Sequence, residues 1–374
     1  MNPITETHYT VNDVGNANCI FIDRFKHRNY ESTLINVCNI HFFINFHEGD
    51  LKRRNLLIDF GYDHTKHLDY NLKEQARNAD EFLLSHYHLD HYKGLEKMED
   101  KSLYIEKIYY PHIPQMHNRY TLLKACYFIC IVDGNDLINL LKQKNKTTDF
   151  IKKNVFIGDT IFDDRYEVVW PPKNLEKGST MYTKLQNGIK RIDDTLNEHP
   201  EIKNIWQHVK QSSIIDPHTL LLKEDNNDIQ EFINKHKEKI KDHKDILEKV
   251  KFEIRQITNR FSICVYKKDE FLFLGDLEKE EVEMCMKRLF EKNGNKKVFV
   301  KYFITPHHGT KNHYSPALEK YLTADFVISS NGEKENSDYA KEYKKLVSGH
   351  GHEHRTYNDS TFTSLKKQQS SKTN

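Results

Sequence analysis

Short apolar runs broken by turn residues recur along this chain, and they predict strands at both ends of it with helices between. Asn55-Leu56-Leu57-Ile58 reads as a buried strand ending at Asp59-Phe60-Gly61, and Phe82-Leu83-Leu84 as a second. A glycine turn at Val14-Gly15-Asn16-Ala17-Asn18 feeds Cys19-Ile20-Phe21-Ile22. Residues 35–46 have the aromatic and β-branched content of a strand, and 105–111 read as one stopped by proline. Residues 155–161 and 166–172 read as a strand pair, with Gly158-Asp159 as a turn. Ser262-Ile263-Cys264-Val265-Tyr266 and Phe271-Leu272-Phe273-Leu274 flank a charged tetrapeptide, the pattern of a hairpin. Residues 298–304 form another apolar run, and 326–332 the last clear strand and turn.

Helical spacing appears over 70–80, 120–144 and 277–290. The last has Glu278, Glu280 and Glu281 in its first turn, favourable at a helix N-terminus. Residues 173–255 differ in character. Charge dominates, glycine is sparse, and Ile229, Phe232 and Ile233 keep helical spacing, so this stretch predicts a charged helical insertion. It is either a solvated appendage or a cap over substrate, and it offers a surface to a protein partner. The expected organisation is therefore 1–172 and 256–360 as two parts of one α/β unit, 173–255 inserted, and 361–374 a mobile polar tail.

Composition narrows the class. Hydrophobic residues make up 37% and charged residues 30%, so a core is feasible under a heavily charged surface. A net charge of +2 supplies no basic field for nucleic acid. No run approaches the ~18 apolar residues of a membrane span. The N-terminal residues lack a basic start and an apolar signal core, and six cysteines contain no C-x-x-C pair. Both features predict reduced thiols and a cytoplasmic protein with no membrane contact.

The chemistry lies in Ser85-His86-Tyr87-His88-Leu89-Asp90-His91. A chain that stays extended past Ser85 sends His86, His88 and Asp90 to one side, with His91 arriving from a turn. That arrangement suits two cations, with His86 and His88 on one and Asp90 and His91 on the other. Imidazole and carboxylate suit Zn2+, and also Mn2+ or Fe.

His-x-His-x-Asp-His at residues 86–91 resembles the signature metal loop of the metallo-β-lactamase-fold hydrolases. Tyr92-Lys93-Gly94-Leu95 is similar to that family's turn into a helix, and Asp59-Phe60-Gly61 to its preceding strand end with a structural aspartate. Asn259-Arg260-Phe261-Ser262, Phe273-Leu274-Gly275-Asp276 and Thr305-Pro306-His307-His308-Gly309-Thr310 resemble one branch in particular. That branch is the soluble metallo-β-lactamase domain of the competence-type DNA-uptake channel family. Val14-Gly15-Asn16-Ala17-Asn18, Trp170-Pro171-Pro172 and His354-Arg355-Thr356 fit its pattern too, and 173–255 lie outside it.

The resemblance implies a four-layer αββα metallo-β-lactamase sandwich with a helical insertion. It implies two zinc sites, with Asp276 bridging and a histidine of the 307–308 pair completing the second. His307, first after the strand, is the favoured ligand, with His308 in support or as proton donor to the leaving group. One departure stands out. Asn259 occupies the place where many members of the fold carry a third histidine on the first metal. His112 or a histidine of the insertion is a possible substitute.

Two cations about 3.5–4 Å apart can hold a bridging hydroxide, and zinc brings the pKa of its bound water to about 7. Asp90 is placed to orient that nucleophile. Lys93, Lys311 and Arg355 flank the predicted site loops and suit phosphate. The leading expectation is a metal-dependent phosphodiesterase or nuclease acting on nucleic acid or a nucleotide, conceivably as the effector of a bacterial defence system. The alternatives are a hydrolase of a small ester, thioester or lactam, and a non-catalytic interaction module on a degenerate hydrolase fold.

Overall fold

A computed structural model describes residues 4–12, 19–27, 54–61, 70–116, 118–133, 137–212, 227–331, 338–356 and 362–363. The turn expected at 14–18, the strand at 35–46, Gly332 and the tail from Ser364 lie outside the described residues.

The first sheet holds seven strands: β1 (Ile4–Val11), β2 (Ile20–His27), β3 (Arg54–Ile58), β4 (Glu81–Leu83), β5 (Lys107–Pro111), β6 (Ile151–Val155) and, beside β1, the short β14 (Phe362–Thr363). The second also holds seven, β7 (Thr160–Ile161), β8 (Tyr166–Trp170), β9 (Cys264–Lys267), β10 (Phe271–Phe273), β11 (Val298–Ile304), β12 (Leu322–Ser329) and β13 (Val347–Arg355), in consecutive order. Each sheet is antiparallel on one side and parallel on the other. β1–β2–β3 and β7–β8–β9–β10 are antiparallel, while β3–β4–β5–β6 and β10–β11–β12–β13 are parallel. Parallel strands need crossovers and are covered on both faces, so they read as continuous apolar runs. That is why Leu56-Leu57-Ile58 and Phe82-Leu83 show no alternation.

Three apolar clusters stack the molecule into layers. The sheets face each other across one shared core, with Tyr9, Ile22, Leu56, Ile58 and Leu83 on one side and Val168, Val265, Phe273 and Ile304 on the other. Leu57, Phe82 and Ile108 on the outer side of the first sheet pack against Leu72 and Ala76 of α1 (Tyr70–Arg77) and Leu141. The outer side of the second sheet packs against helices through Leu272, Val300 and Phe303.

The charged stretch contributes to that last layer. Its helices are Thr180–Glu198, Pro200–Gln211, Asn227–Lys241 and Lys244–Asn259. Leu185, Ile192, Trp206, Ile233 and Val250 are fully buried in the same cluster as Phe128 of the Arg119–Asp133 helix. The stretch is thus an integral layer with a charged outer face. Its last helix continues past residue 255 to Asn259 and so carries the chain straight into the site. No described helix is long and apolar enough to cross a membrane.

Two strand expectations and the extent of the tail need correction. The run at 155–161 is two strands in different sheets: β6 ends at Val155, Gly158 turns with φ 95°, and β7 begins at Thr160. Residues 326–332 are not the last strand, because β13 and β14 follow. β13, Val-Ser-Gly-His-Gly-His-Glu-His-Arg, is a partly exposed edge strand, so its side chains carry no apolar signal. β14 pins Phe362 to Val11 within what reads as a mobile tail.

If the charged helices are one cooperative unit with the sandwich, Trp206→Ala should lower the stability of a single urea transition by about 3–5 kcal/mol. A separate early transition with the main one unmoved would instead make the stretch an independent appendage.

Candidate metal centre

The site forms where loops leave the strand ends of both sheets. β3 runs into Asp59, whose φ of 52° lies in the left-handed region. Aspartate tolerates that conformation better than most residues. Its buried carboxylate has two tasks. Oδ1 accepts the Ser85 backbone N–H at 2.7 Å, and Oδ2 accepts from His91 Nδ1 at 2.8 Å. From the other sheet, the Ile263 N–H donates to the Ser85 carbonyl at 2.8 Å. The metal loop is therefore gripped from both sheets at Ser85.

β4 stops at Leu83, so the loop does not stay extended past Ser85 as the alternation argument required. It curls: His88 N–H donates to the His86 carbonyl at 2.9 Å and His91 N–H to the His88 carbonyl at 3.1 Å. A short 3-10 turn spans Leu89–His91. Curling brings the rings of His86 and His91 to 4.0 Å between centroids. The turn that follows needs glycine at 94, since a Cβ there would sit 2.6 Å from the Phe60 carbonyl oxygen.

Hydrogen bonds at the back of each ring decide which nitrogen faces the centre. His86 Nδ1 lies 3.1 Å from Ser85 Oγ, leaving Nε2 to point inward. His91 uses Nδ1 on Asp59, and its Nε2 lies 3.3 Å from Asp276 Oδ2 and 3.9 Å from Asp90 Oδ1. His308 Nδ1 donates to the Ser330 carbonyl at 3.1 Å, and its Nε2 lies 3.8 Å from Asp276 Oδ2. His88 Nδ1 contacts Asp90 Oδ1 directly. Asp276 follows Gly275, whose φ is 53° and where a Cβ would meet Ser262 Cβ at 2.6 Å. The Asp276 N–H is tied to Ser262 Oγ at 3.1 Å.

Two groups of ligand atoms result, His86 with His88 and His91, and Asp90 with His91 and His308, each within 4.8 Å of one another. His86 Nε2 is buried with no hydrogen-bond partner, while His91 Nε2 and Asp90 Oδ1 are buried against other ligand-capable groups, Asp276 and His88. An unpaired buried nitrogen is costly, and the convergence of imidazole and carboxylate atoms around it fits a cation. The donors are imidazole and carboxylate, which suit zinc, manganese and iron alike.

Electrostatics agree with tight packing of opposite charges. Burial pushes His86 well below its ordinary pKa. Burial acts on His91 in the same sense, but Asp59, Asp276 and Asp90 outweigh it and hold the ring well above. Asp276 resists its own burial because His91, His307 and His308 keep it well below the carboxylate range.

The structure thus gathers His86, His88, Asp90, His91 and Asp276 at one point. Of the paired histidines it places His308, not the favoured His307, within the ligand-atom groups found among the described residues. Both have left-handed backbone, φ 46° and 59°, which turns the adjacent rings in different directions. His307 Nδ1 sits 3.4 Å from Asp276 Oδ2 and 3.4 Å from Asn259 Nδ2, with its ring flat on His313. His112 does not substitute for a missing ligand, because its nitrogens are occupied by Asn154 Oδ1 at 2.7 Å and the Lys173 carbonyl at 2.9 Å. Among the insertion histidines, His199 lies tilted against His243 and His208 against Phe232, and neither is in the ligand groups found among the described residues.

Lys93 opens the 3-10 turn after the metal loop, and Lys311 the one after the paired histidines. Lys311 Nζ lies 3.9 Å from an Asp338 carboxylate oxygen. Arg355 sits over the Tyr339 ring at 4.8 Å, on β13 opposite Ser329. Sequence reasoning did not place His313 or Glu278 at the site. They are ordinary polar residues, and only the fold brings them to the site.

A family model described as anti-Pycsar protein Apyc1 matches residues 42–123. The match spans β3, β4, the 86–91 loop and β5, but not Asp276 or the paired histidines. No curated protein and no solved structure matches the chain.

Elemental analysis of the purified protein should find bound transition metal, and Asp276→Ala should lose most of it. Asp59→Asn, which alters the support of His91 and Ser85 and no ligand atom, should weaken metal binding about 10–100-fold without emptying the site at saturating metal. Equal metal content and affinity in all three proteins would contradict the assignment.

Proposed function

We propose that this chain is a metal-dependent phosphodiesterase that opens a cyclic nucleotide, built as an αββα metallo-β-lactamase sandwich. The observation that carries the reading is the convergence of buried His86 Nε2, His91 Nε2 and Asp90 Oδ1 from one sheet with Asp276 and His308 from the other. Two mixed sheets packed face to face with helices outside support the fold. Paired cations lower the pKa of bound water and offset charge on a phosphoryl group.

The residues have distinct tasks in this proposal. His86 and His88 would hold one cation and Asp90 and His308 a second, with Asp276 and the single free nitrogen of His91, whose Nδ1 is taken by Asp59, completing the set. Asp59 and Ser85 fix the rings, and Asp90 also orients the attacking water. Lys93 and Lys311, on the turns after the two ligand loops, meet the phosphate together with Arg355.

Two considerations favour a small nucleotide over a nucleic-acid strand. A net charge of +2 gives little of the electrostatic attraction that long phosphate backbones exploit. The matched family is described as anti-Pycsar, an activity that goes with degrading cyclic nucleotides. In this reading the chain counters a defence system and is not its effector. An interaction module without catalysis is disfavoured, since it would leave His86 Nε2 buried without a partner and crowd two carboxylates against imidazoles for no return.

Metal-loaded protein should convert a 3′,5′-cyclic mononucleotide or a cyclic oligonucleotide to a linear product. Asp90→Ala should reduce the rate by about 100-fold or more, the scale of positioned acid–base groups. Silence on every phosphodiester combined with turnover of thioesters or lactams would replace this reading with the alternative hydrolase. In cells, a cyclic-nucleotide-signalled defence should be blunted by the wild type and not by Asp90→Ala.

A further inference from the structure

His307 is held by more groups than a surface histidine needs, and none of them belongs to the ligand set except Asp276. Its ring lies parallel to His313, 3.7 Å between centroids with 4° between planes. His313 is itself fixed at both nitrogens. Thr310 Oγ1 donates to the His307 carbonyl at 3.1 Å, so toward His313 Nδ1, at 2.8 Å, it can only accept. His313 Nε2 faces Glu278 Oε2 at 3.4 Å. Asn259 Nδ2 approaches His307 Nδ1 at 3.4 Å.

With the Asn259 amide turned this way, which leaves its Oδ1 buried without a hydrogen-bond partner, Nδ2 donates to Nδ1 of His307 and the proton of the neutral ring sits on Nε2. Asp276 Oδ2 is the competing acceptor for a proton on Nδ1, but it also faces His91 Nε2 at 3.3 Å and His308 Nε2 at 3.8 Å, in the ligand cluster. Nδ1 faces inward, so the opposite edge of the ring is the outer one. The His307 side chain keeps 27% exposure, against 4% for His308.

Resting on the phosphodiesterase reading, we propose that His307 is a substrate-contacting residue and not a cation ligand. Its Nε2–H donates to a non-bridging phosphoryl oxygen. Asn259, His313 and Glu278 are positioning residues: the first sets the tautomer, and the other two hold the plane of the ring. Asparagine at position 259 then has a purpose of its own. A histidine there would present a further ligand, whereas the carboxamide turns a neighbouring histidine into an outward hydrogen-bond donor.

The test uses the full-length protein loaded with zinc, with inorganic phosphate as the probe. Three quantities are read: metal content, phosphate affinity by calorimetry, and the His307 tautomer by long-range 1H–15N correlation. His307→Ala should keep the wild-type metal content and bind phosphate about 10-fold more weakly, the scale of one hydrogen bond to a charged group. His307→Gln, which retains a donor, should recover part of that loss. Wild type should show the Nε2–H tautomer, and Asn259→Ala should lose it while keeping its metal. Loss of a cation in His307→Ala, unchanged phosphate affinity in that variant, or an Nδ1–H tautomer in the wild type would each overturn the proposal. Protein that binds phosphate in this His307-dependent way yet cleaves no phosphodiester would overturn the functional reading alone.

Discussion

The site depends on one buried carboxylate. Asp59 holds the backbone of Ser85 with one oxygen and the ring of His91 with the other, at no exposure to solvent. Remove that pair of bonds and the 86–91 loop has no reason to curl, because β4 has already ended at Leu83. The second sheet adds its own restraint through Ile263 and Ser85. A single residue, Ser85, thus receives a constraint from each half of the sandwich, and the relative position of the two sheets is transmitted to the ligands through it. The cost is a set of backbone conformations in the left-handed region, at Asp59, His307 and His308, each worth on the order of 1–3 kcal/mol. Such strain persists only where surrounding contacts over-determine the chain, and here the two sheets do so.

Much of this was legible before any coordinates. The β11 run, the β9–β10 hairpin, the helix after Asp276 and the cluster of ligand residues are all visible in the chain, because apolar periodicity and a dense histidine–aspartate motif are local signals. What escaped was non-local. β13 is an edge strand whose pairing with β12 uses backbone groups, so Ser348 to Arg355 show no alternation. The 155–161 run spans a crossing between sheets that hydrophobicity does not record. The choice between His307 and His308 turns on two φ angles and on the Ser330 carbonyl that takes His308 Nδ1, neither of which residue type specifies.

The composition of the charged helices left open a solvated appendage or a cap over substrate, since Lys and Glu dominate the count. Yet a helix needs only one apolar stripe to join a core. Leu185, Ile189, Ile192 and Leu196 supply that stripe on one helix, and Leu247, Val250, Ile254 and Ile257 on another. The second of these ends at Asn259 beside His307, so the layer furthest from the sheets in composition delivers a residue to the site.

Adjacent histidines in this tight turn present different ring edges to the same carboxylate. Successive left-handed residues rotate their side chains apart, and the rings of His307 and His308 stand 67° from parallel, 5.6 Å between centroids. The Ser330 carbonyl takes His308 Nδ1, so His308 turns Nε2 toward Asp276, while His307 meets Asp276 through Nδ1. The surroundings then decide whether that second ring is idle or useful. Thr310, His313, Glu278 and Asn259 come from a turn, the start of one helix and the end of another. They fix the ring in plane and polarity. An idle ring would need none of them, and the ordering entropy of four side chains argues that its direction matters to whatever binds above the carboxylates.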